Sequence, residues 1–134
     1  MAIKKAIQGK TEVTTFQPVT YDAPEDGPSL AELHLTETFT GDLEAEGVVR
    51  SLQVRRADGS ASHCGIERVV GLLDGRRGSF LLQDAGTLTG THIASSWFVV
   101  PGSGTGDLRG LRGEGGFEAE VGQRGTWTLD YWFE

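Results

Sequence analysis

Asparagine is absent from this 134-residue chain, cysteine and methionine occur once each, and there are only four prolines and three histidines. A single thiol, Cys64, excludes an internal disulfide. With no Cys-x-x-Cys or His-Glu-x-x-His spacing there is no legible zinc site, and His34 and His92 fall on separate predicted strands without ligand spacing, so neither metal nor cofactor is expected. No window approaches the roughly 18 apolar residues that a membrane-spanning helix requires. Met1 to Lys10 carries basic residues with no apolar stretch behind them, which is not the pattern of a secretory signal. Positive charge is also short: 12 Lys and Arg stand against 19 Asp and Glu, a net charge of -7. That balance repels phosphate backbones and anionic lipid surfaces, so neither nucleic acid nor membrane is an expected partner. The chain reads as a soluble, cytoplasmic protein.

Glycine is what the chain has in excess, at 20 of 134 residues. Collagen would need a strict three-residue period, and disorder would need fewer apolar residues than the 37% present. A loop-dense all-β domain remains, and the length suits one domain spanning residues 1–134. Alternation with a period of two predicts strands over 7–16, 33–40, 47–56, 62–73, 78–86, 91–100, 107–120 and 125–133. Asp58-Gly59 and Asp74-Gly75 separate three of them as tight turns. Ser29-Leu30-Ala31-Glu32 has the spacing of a helix capping box, but the alternating, Thr-rich Leu33 to Thr40 favours a strand. Pro18 to Pro28 holds three prolines and predicts a long loop across one end, placed to act as a lid. Eight short strands suit an antiparallel barrel, since closure removes exposed edges.

The glycine-dense run Pro101 to Phe117 matches neither dinucleotide-binding nor P-loop spacing and precedes no helix, so it predicts turns, bulges and close strand crossings. Gly75-Arg76-Arg77-Gly78 has the spacing of an RNA-clamping loop but lies in a hairpin, where it reads as a turn with two solvated arginines. The string Pro101-Gly102-Ser103-Gly104-Thr105-Gly106-Asp107-Leu108-Arg109-Gly110-Leu111-Arg112-Gly113-Glu114-Gly115-Gly116-Phe117 and the ending Thr128-Leu129-Asp130-Tyr131-Trp132-Phe133-Glu134 resemble an uncharacterised bacterial family of domains of unknown function. Phe39-Thr40-Gly41-Asp42-Leu43-Glu44, Gly65-Ile66-Glu67-Arg68 and Gly78-Ser79-Phe80 extend the resemblance over nearly the whole chain. Members of that family resemble the allene oxide cyclase barrel, a lipocalin-like shape. The resemblance implies that fold, and association into a homodimer or homotrimer. Allene oxide cyclases use a buried carboxylate and a bound water, but this chain has no asparagine and no residue-by-residue match to their site, so the activity is not carried over.

In a small barrel, polar residues that share the phase of large apolar ones are the candidates for a site. Trp127, Leu129, Tyr131 and Phe133 share one phase and are expected inside, with Trp132 outside as a candidate subunit contact. Trp97 is expected inside. On strand 62–73, apolar content alone turns Cys64, Ile66 and Val70 inward, whereas the family resemblance turns His63, Gly65 and Glu67 inward. The second face is preferred, although Cys64 by itself reads as a small buried hydrophobe. Glu67 is then a candidate general acid or base, with Arg55 or His63 as its charge partner, against the plainer reading of a structural Glu–Arg pair or a surface residue. Ser51, Gln53, Arg55, His63, Trp97, Trp127 and Tyr131 are the expected lining residues. Three functions stay open. The first is binding of a small apolar or amphipathic molecule, which needs few special residues. The second is a cyclase- or isomerase-like enzyme using Glu67, and the third is a filled structural barrel that assembles into an oligomer.

Overall fold

The computed structural model describes residues 3–134; Met1 and Ala2, part of the segment read above for a signal, lie outside the described residues. The strands are β1 (Lys5–Asp22), β2 (Ser29–Gly41), β3 (Leu43–Arg55), β4 (Ala61–Leu73), β5 (Arg76–Thr89), β6 (His92–Val99), β7 (Leu111–Glu120) and β8 (Gly125–Phe133). Each pairs antiparallel with the next, and β8 returns to β1, so the sheet is one closed eight-stranded barrel. Alternation is the cause. On β8, Trp127, Leu129 and Tyr131 are buried, whereas Thr126, Thr128 and Asp130 are exposed. The turns at Gly59 (φ 87°) and Gly75 (φ 84°) sit in the left-handed region that glycine reaches without steric penalty.

Closure demands stagger. β1 pairs with β8 over Lys5–Thr11 but with β2 from Gly9 to Asp22. Beyond Thr11, β1 therefore has a neighbour on one side only. Pro18, which has no N–H to donate, is tolerated there, opposite Leu33 of β2. The expected loop over residues 18–28 is thus corrected: Pro18 to Asp22 continues the strand, and residues 23–28 alone form the connection. The Ser29 segment is strand, as the alternation indicated.

The two ends of the barrel differ. At one end the connection from β6 to β7 folds across the opening through a single turn of 3-10 helix, Gly106–Leu108, and its Leu108 is 1% exposed. The strand expected over 107–120 accordingly starts at Leu111. Leu108 fits because the wall below it has no side chain: a Cβ at Gly78 would lie 3.2 Å from Leu108 Cβ and would overlap the Thr105 carbonyl. Ile7, Phe39, Leu43, Val69, Leu73, Phe80, Leu82, Val99, Leu111, Trp127 and Leu129 join Leu108 in a continuous core that fills this half. At the other end the inward residues Gln53, Arg55, His63, Ser95 and Phe117 are only part-buried. Val13 and Phe16 of the one-sided stretch of β1, paired with the inward-phase Glu37 and Leu35, are more than half exposed.

Cys64 is exposed, which corrects its reading as a buried hydrophobe. It alternates with His63 and Gly65, so the inward turn of Glu67 and Val69 sends it outward beside Ile66 and Val70, both about half exposed. Trp132 is part-buried, with the Lys4 ammonium 4.8 Å and the Arg112 guanidinium 5.9 Å from its ring, so two side chains of the same chain already lie over it. Leu108→Ala is expected to lower unfolding stability by roughly 2–4 kcal/mol, because the sealed end cannot collapse onto the cavity left. Urea denaturation followed by tryptophan fluorescence measures this.

Candidate functional site

Two acidic residues share the phase of the core. On β2 the inward series is Leu33, Leu35, Glu37 and Phe39, and on β4 it is His63, Gly65, Glu67 and Val69. The register sets Gly47 of β3 opposite both Glu37 and Val69, while Glu67 faces Val49. Glu67 must therefore pass diagonally over β3 to meet Glu37, and Gly47 is where it passes. A Cβ at Gly47 would overlap Glu67 Oε2, lie 2.9 Å from Cδ and come within 3.1 Å of Phe39 Cε2. The missing side chain is what lets the two carboxyls hydrogen-bond.

Glu67 is 6% exposed. Burial pushes its carboxyl well above the ordinary carboxylate range, with the Glu37 charge, the hydrogen bond to Glu37 and the Asp84 charge adding in the same direction. Burial also raises Glu37, the bond from Glu67 opposes this, and the Asp84 charge adds to it. The pair accordingly holds a proton in the hydrogen bond between its two carboxyls. Glu67 Oε2 is buried and meets no donor from outside the pair.

Toward the open end, His63 Nε2 lies 2.6 Å from Ser95 Oγ and 3.4 Å from Asp84 Oδ2. Asp84 is opposite Trp97 in the β5–β6 register. Glu67, Asp84, His63 and Ser95 thus climb one wall from the core toward the rim. Beside them stands an aromatic group. The Trp97 ring is 5.5 Å from Phe117 and 6.3 Å from Phe39, and Phe39 is 6.2 Å from Trp127. Both indole N–H groups are already donated, Trp97 to the Thr128 carbonyl and Trp127 to the Thr40 carbonyl, each at 3.1 Å.

Of the expected lining residues, His63 and Trp97 stand on strands that carry this wall, and Ser51, Gln53 and Arg55 stand on the neighbouring β3. Ser51 Oγ donates to the Cys64 carbonyl at 3.0 Å and is committed to the backbone. Gln53 Oε1 accepts from Arg55 Nε at 2.6 Å near the rim. Trp127 is fully buried in the core. Tyr131 lies at the sealed end, where its hydroxyl donates to Asp74 at 2.7 Å; burial and that carboxylate push it up to about 12. Tyr131 therefore stands apart from Glu67. The expectation that Arg55 or His63 balances Glu67 is also corrected, because the group that meets it is a second carboxyl, Glu37, while Arg55 holds Gln53 and His63 faces Asp84 and Ser95. His34 and His92 are surface residues that contact Glu32 at 3.1 Å and Glu120 at 3.0 Å.

Glu37, Gly47 and Asp84 escaped the sequence reading. The signal was available for the acids: Leu33-x-Leu35-x-Glu37-x-Phe39 and Phe80-x-Leu82-x-Asp84 each place a carboxyl in an apolar phase. No group of three or more His, Cys, Asp and Glu among the described residues is arranged to hold a metal ion. A hollow of about 560 Å³ lies along β5 to β8, lined by Ala85, Ser95, Ser96, Gly116, Phe117 and Thr126 among others, and does not include Glu37, Glu67 or Asp84.

A family model described as "Protein of unknown function (DUF3224)" matches residues 7–131. A crystal structure of a protein with unknown function from the DUF3224 family of Shewanella oneidensis MR-1 is similar over 98% of this chain and 99% of that one, at 34% identity and a TM-score of 0.81. None of the curated proteins matches.

The raised carboxyl has a thermodynamic consequence whose sign is fixed. A group whose folded-state pKa exceeds its unfolded value contributes stability that is fully present below the unfolded value, here near 4.5, and is lost as pH rises through the folded value. Thermal unfolding midpoints are expected to fall as pH climbs from the mildly acidic range toward neutral and beyond. Glu67→Gln, which stays neutral, flattens that slope; an unchanged slope would refute the assignment. Asp58, Asp74 and Glu120 are shifted downward, so their effect has the opposite sign and lies at or below the ordinary carboxylate range.

Proposed function

The chain belongs to the DUF3224 family of proteins of unknown function, and we propose that it binds a small apolar or amphipathic molecule in the open half of its barrel, with the Glu37–Glu67 pair holding the molecule's polar end. The observation that carries this reading is the orphaned Oε2 of Glu67. Leaving a buried polar atom unpaired costs about 1–3 kcal/mol, and such groups concentrate where a partner arrives with a ligand. Nothing in the fold demands two carboxyls there, because an apolar residue at position 67 would continue the core that Val69 and Leu82 already build. Part-buried Leu35, Val49 and Phe117, together with exposed Val13 and Phe16, supply apolar contact on the way in.

A second reading rests on the same carboxyl. A carboxyl whose burial favours its protonated form suits a general acid, and His63 beside Asp84 supplies a base on the same wall. A cyclase- or isomerase-like enzyme would use both, with Trp97 shaping the substrate. Outside the barrel, exposed Val48, Leu52, Ile66 and Val70 on β3 and β4 favour association with a second or third copy. A reducing cytoplasm suits the lone exposed Cys64.

Native mass spectrometry of the protein purified from its natural source tests the first reading. The expected result is a mass increment of one small molecule per barrel, lost when Leu35→Trp fills the open half. Bare protein in every preparation would count against binding.

A further inference from the structure

The polar end of the bound molecule follows from which hydrogen-bonding capacity the site leaves unused. We propose that the barrel selects an organic cation, a protonated primary or secondary amine with an apolar body, whose N–H groups are taken by Glu67 Oε2, Glu37 and Asp84 and whose charge lies against the Phe39 and Trp97 rings. This rests on the binding reading above and names its ligand class.

The first support is the bond between the acids. The pair keeps its proton in that mutual bond, so no donor is left there. Oε2, buried over Gly47, meets no donor from outside the pair. A ligand carbonyl or ether would bring a further acceptor and leave that oxygen orphaned. A ligand carboxylate would add a like charge to three acids. An ammonium N–H supplies both the missing donor and the missing charge.

The second support is the balance of charges that face the lumen. β2 contributes Glu37, β4 contributes Glu67 and His63, and β5 contributes Asp84. β3 contributes Arg55, whose Nε is bound to Gln53 near the rim. The inward residues of β1 (Ile7, Gly9, Thr11), β6 (Ser95, Trp97, Val99), β7 (Gly113, Gly115, Phe117) and β8 (Trp127, Leu129) carry none. Three carboxyls thus face one histidine below the rim. Since Asp84 adds to the upward shift of both glutamates, the acids repel one another in the absence of a counter-charge.

The third support is the aromatic wall. Phe39 Cε2 lies beside the Gly47 position over which Glu67 Oε2 sits, and Trp97 is the register partner of Asp84. With its N–H turned away to the Thr128 carbonyl, Trp97 offers the lumen its ring rather than a donor. Ring faces beside carboxylates suit a cation twice over, through the aromatic quadrupole and through the charge. Binding should then release the shared proton of the pair, because the ammonium replaces it as the positive partner, and affinity should rise with pH until the amine itself loses its proton near 10.

The experiment compares three probes with one eight-carbon tail, n-octylamine, 1-octanol and octanoate, by calorimetry at neutral pH with Trp fluorescence as a second readout. Octylammonium is expected to bind at least about tenfold more tightly than either of the others, with proton release read from buffers of different ionisation enthalpy. Glu67→Gln should remove most of that preference. Gly47→Ala should do the same with no change of charge, because the new methyl displaces the Glu67 carboxyl; this separates the site from general attraction to a surface of net charge -7. Octanol or octanoate binding as tightly as the amine would overturn the cation inference and leave barrel binding standing. Amine binding that neither variant changes would overturn it as well. If no probe binds, both readings fall.

Discussion

Everything inside this protein depends on the seven residue pairs that join β1 to β8, from Lys5 opposite Tyr131 to Thr11 opposite Gly125. Without that seam the strands form an open sheet with two long edges, and alternation divides residues only between two faces. With it, one face becomes a lumen cut off from solvent, and a carboxyl in the inward phase becomes a buried carboxyl. The same seam is short because the barrel is staggered. The stagger leaves β1 with one neighbour beyond Thr11, gives Pro18 a place in a strand, and puts Val13 and Phe16 at the rim of the open end.

Glycine does two different things in this wall. At the sealed end, Gly78 has no side chain so that Leu108 and the Thr105 carbonyl can close over the core. In the middle, Gly47 has none so that Glu67 can cross β3 and reach Glu37. Both are absences that admit a neighbour, but the first admits an apolar plug that adds to the core, and the second admits a carboxyl that raises the energy of the barrel. Local choices in a stable fold usually agree with one another, and a place where they conflict is where function is to be sought. The Glu37–Glu67 pair is such a place: it is buried, like-charged when ionised, and one oxygen short of a partner.

The fold was legible because period-two alternation, Asp-Gly turns and an excess of glycine all point to a meander of short strands, and the family resemblance added its closure. What the loop reading missed was Pro18, because a proline is tolerated in a strand that has a neighbour on one side only, as β1 has beyond Thr11. Cys64 was misread because side-chain chemistry was weighed for one residue, whereas the phase of a strand moves all its residues together. In the site, Glu67 and His63 were turned inward by the family resemblance, against the apolar content of their strand. The partner of Glu67 was not sought among the acids, because pairing intuition assigns a carboxylate to a base.

The amino-acid sequence by itself determined the class of fold, most of its strands and turns, and the family, since these depend on local periodicity and local motifs. Which residues meet across strands was decided only by tertiary structure, because contact depends on register, and register is a property of pairs of strands. Gly47 in the sequence is one glycine among twenty. Placed opposite Glu37 and one step from Glu67, it is the gap through which two carboxyls come to share a proton.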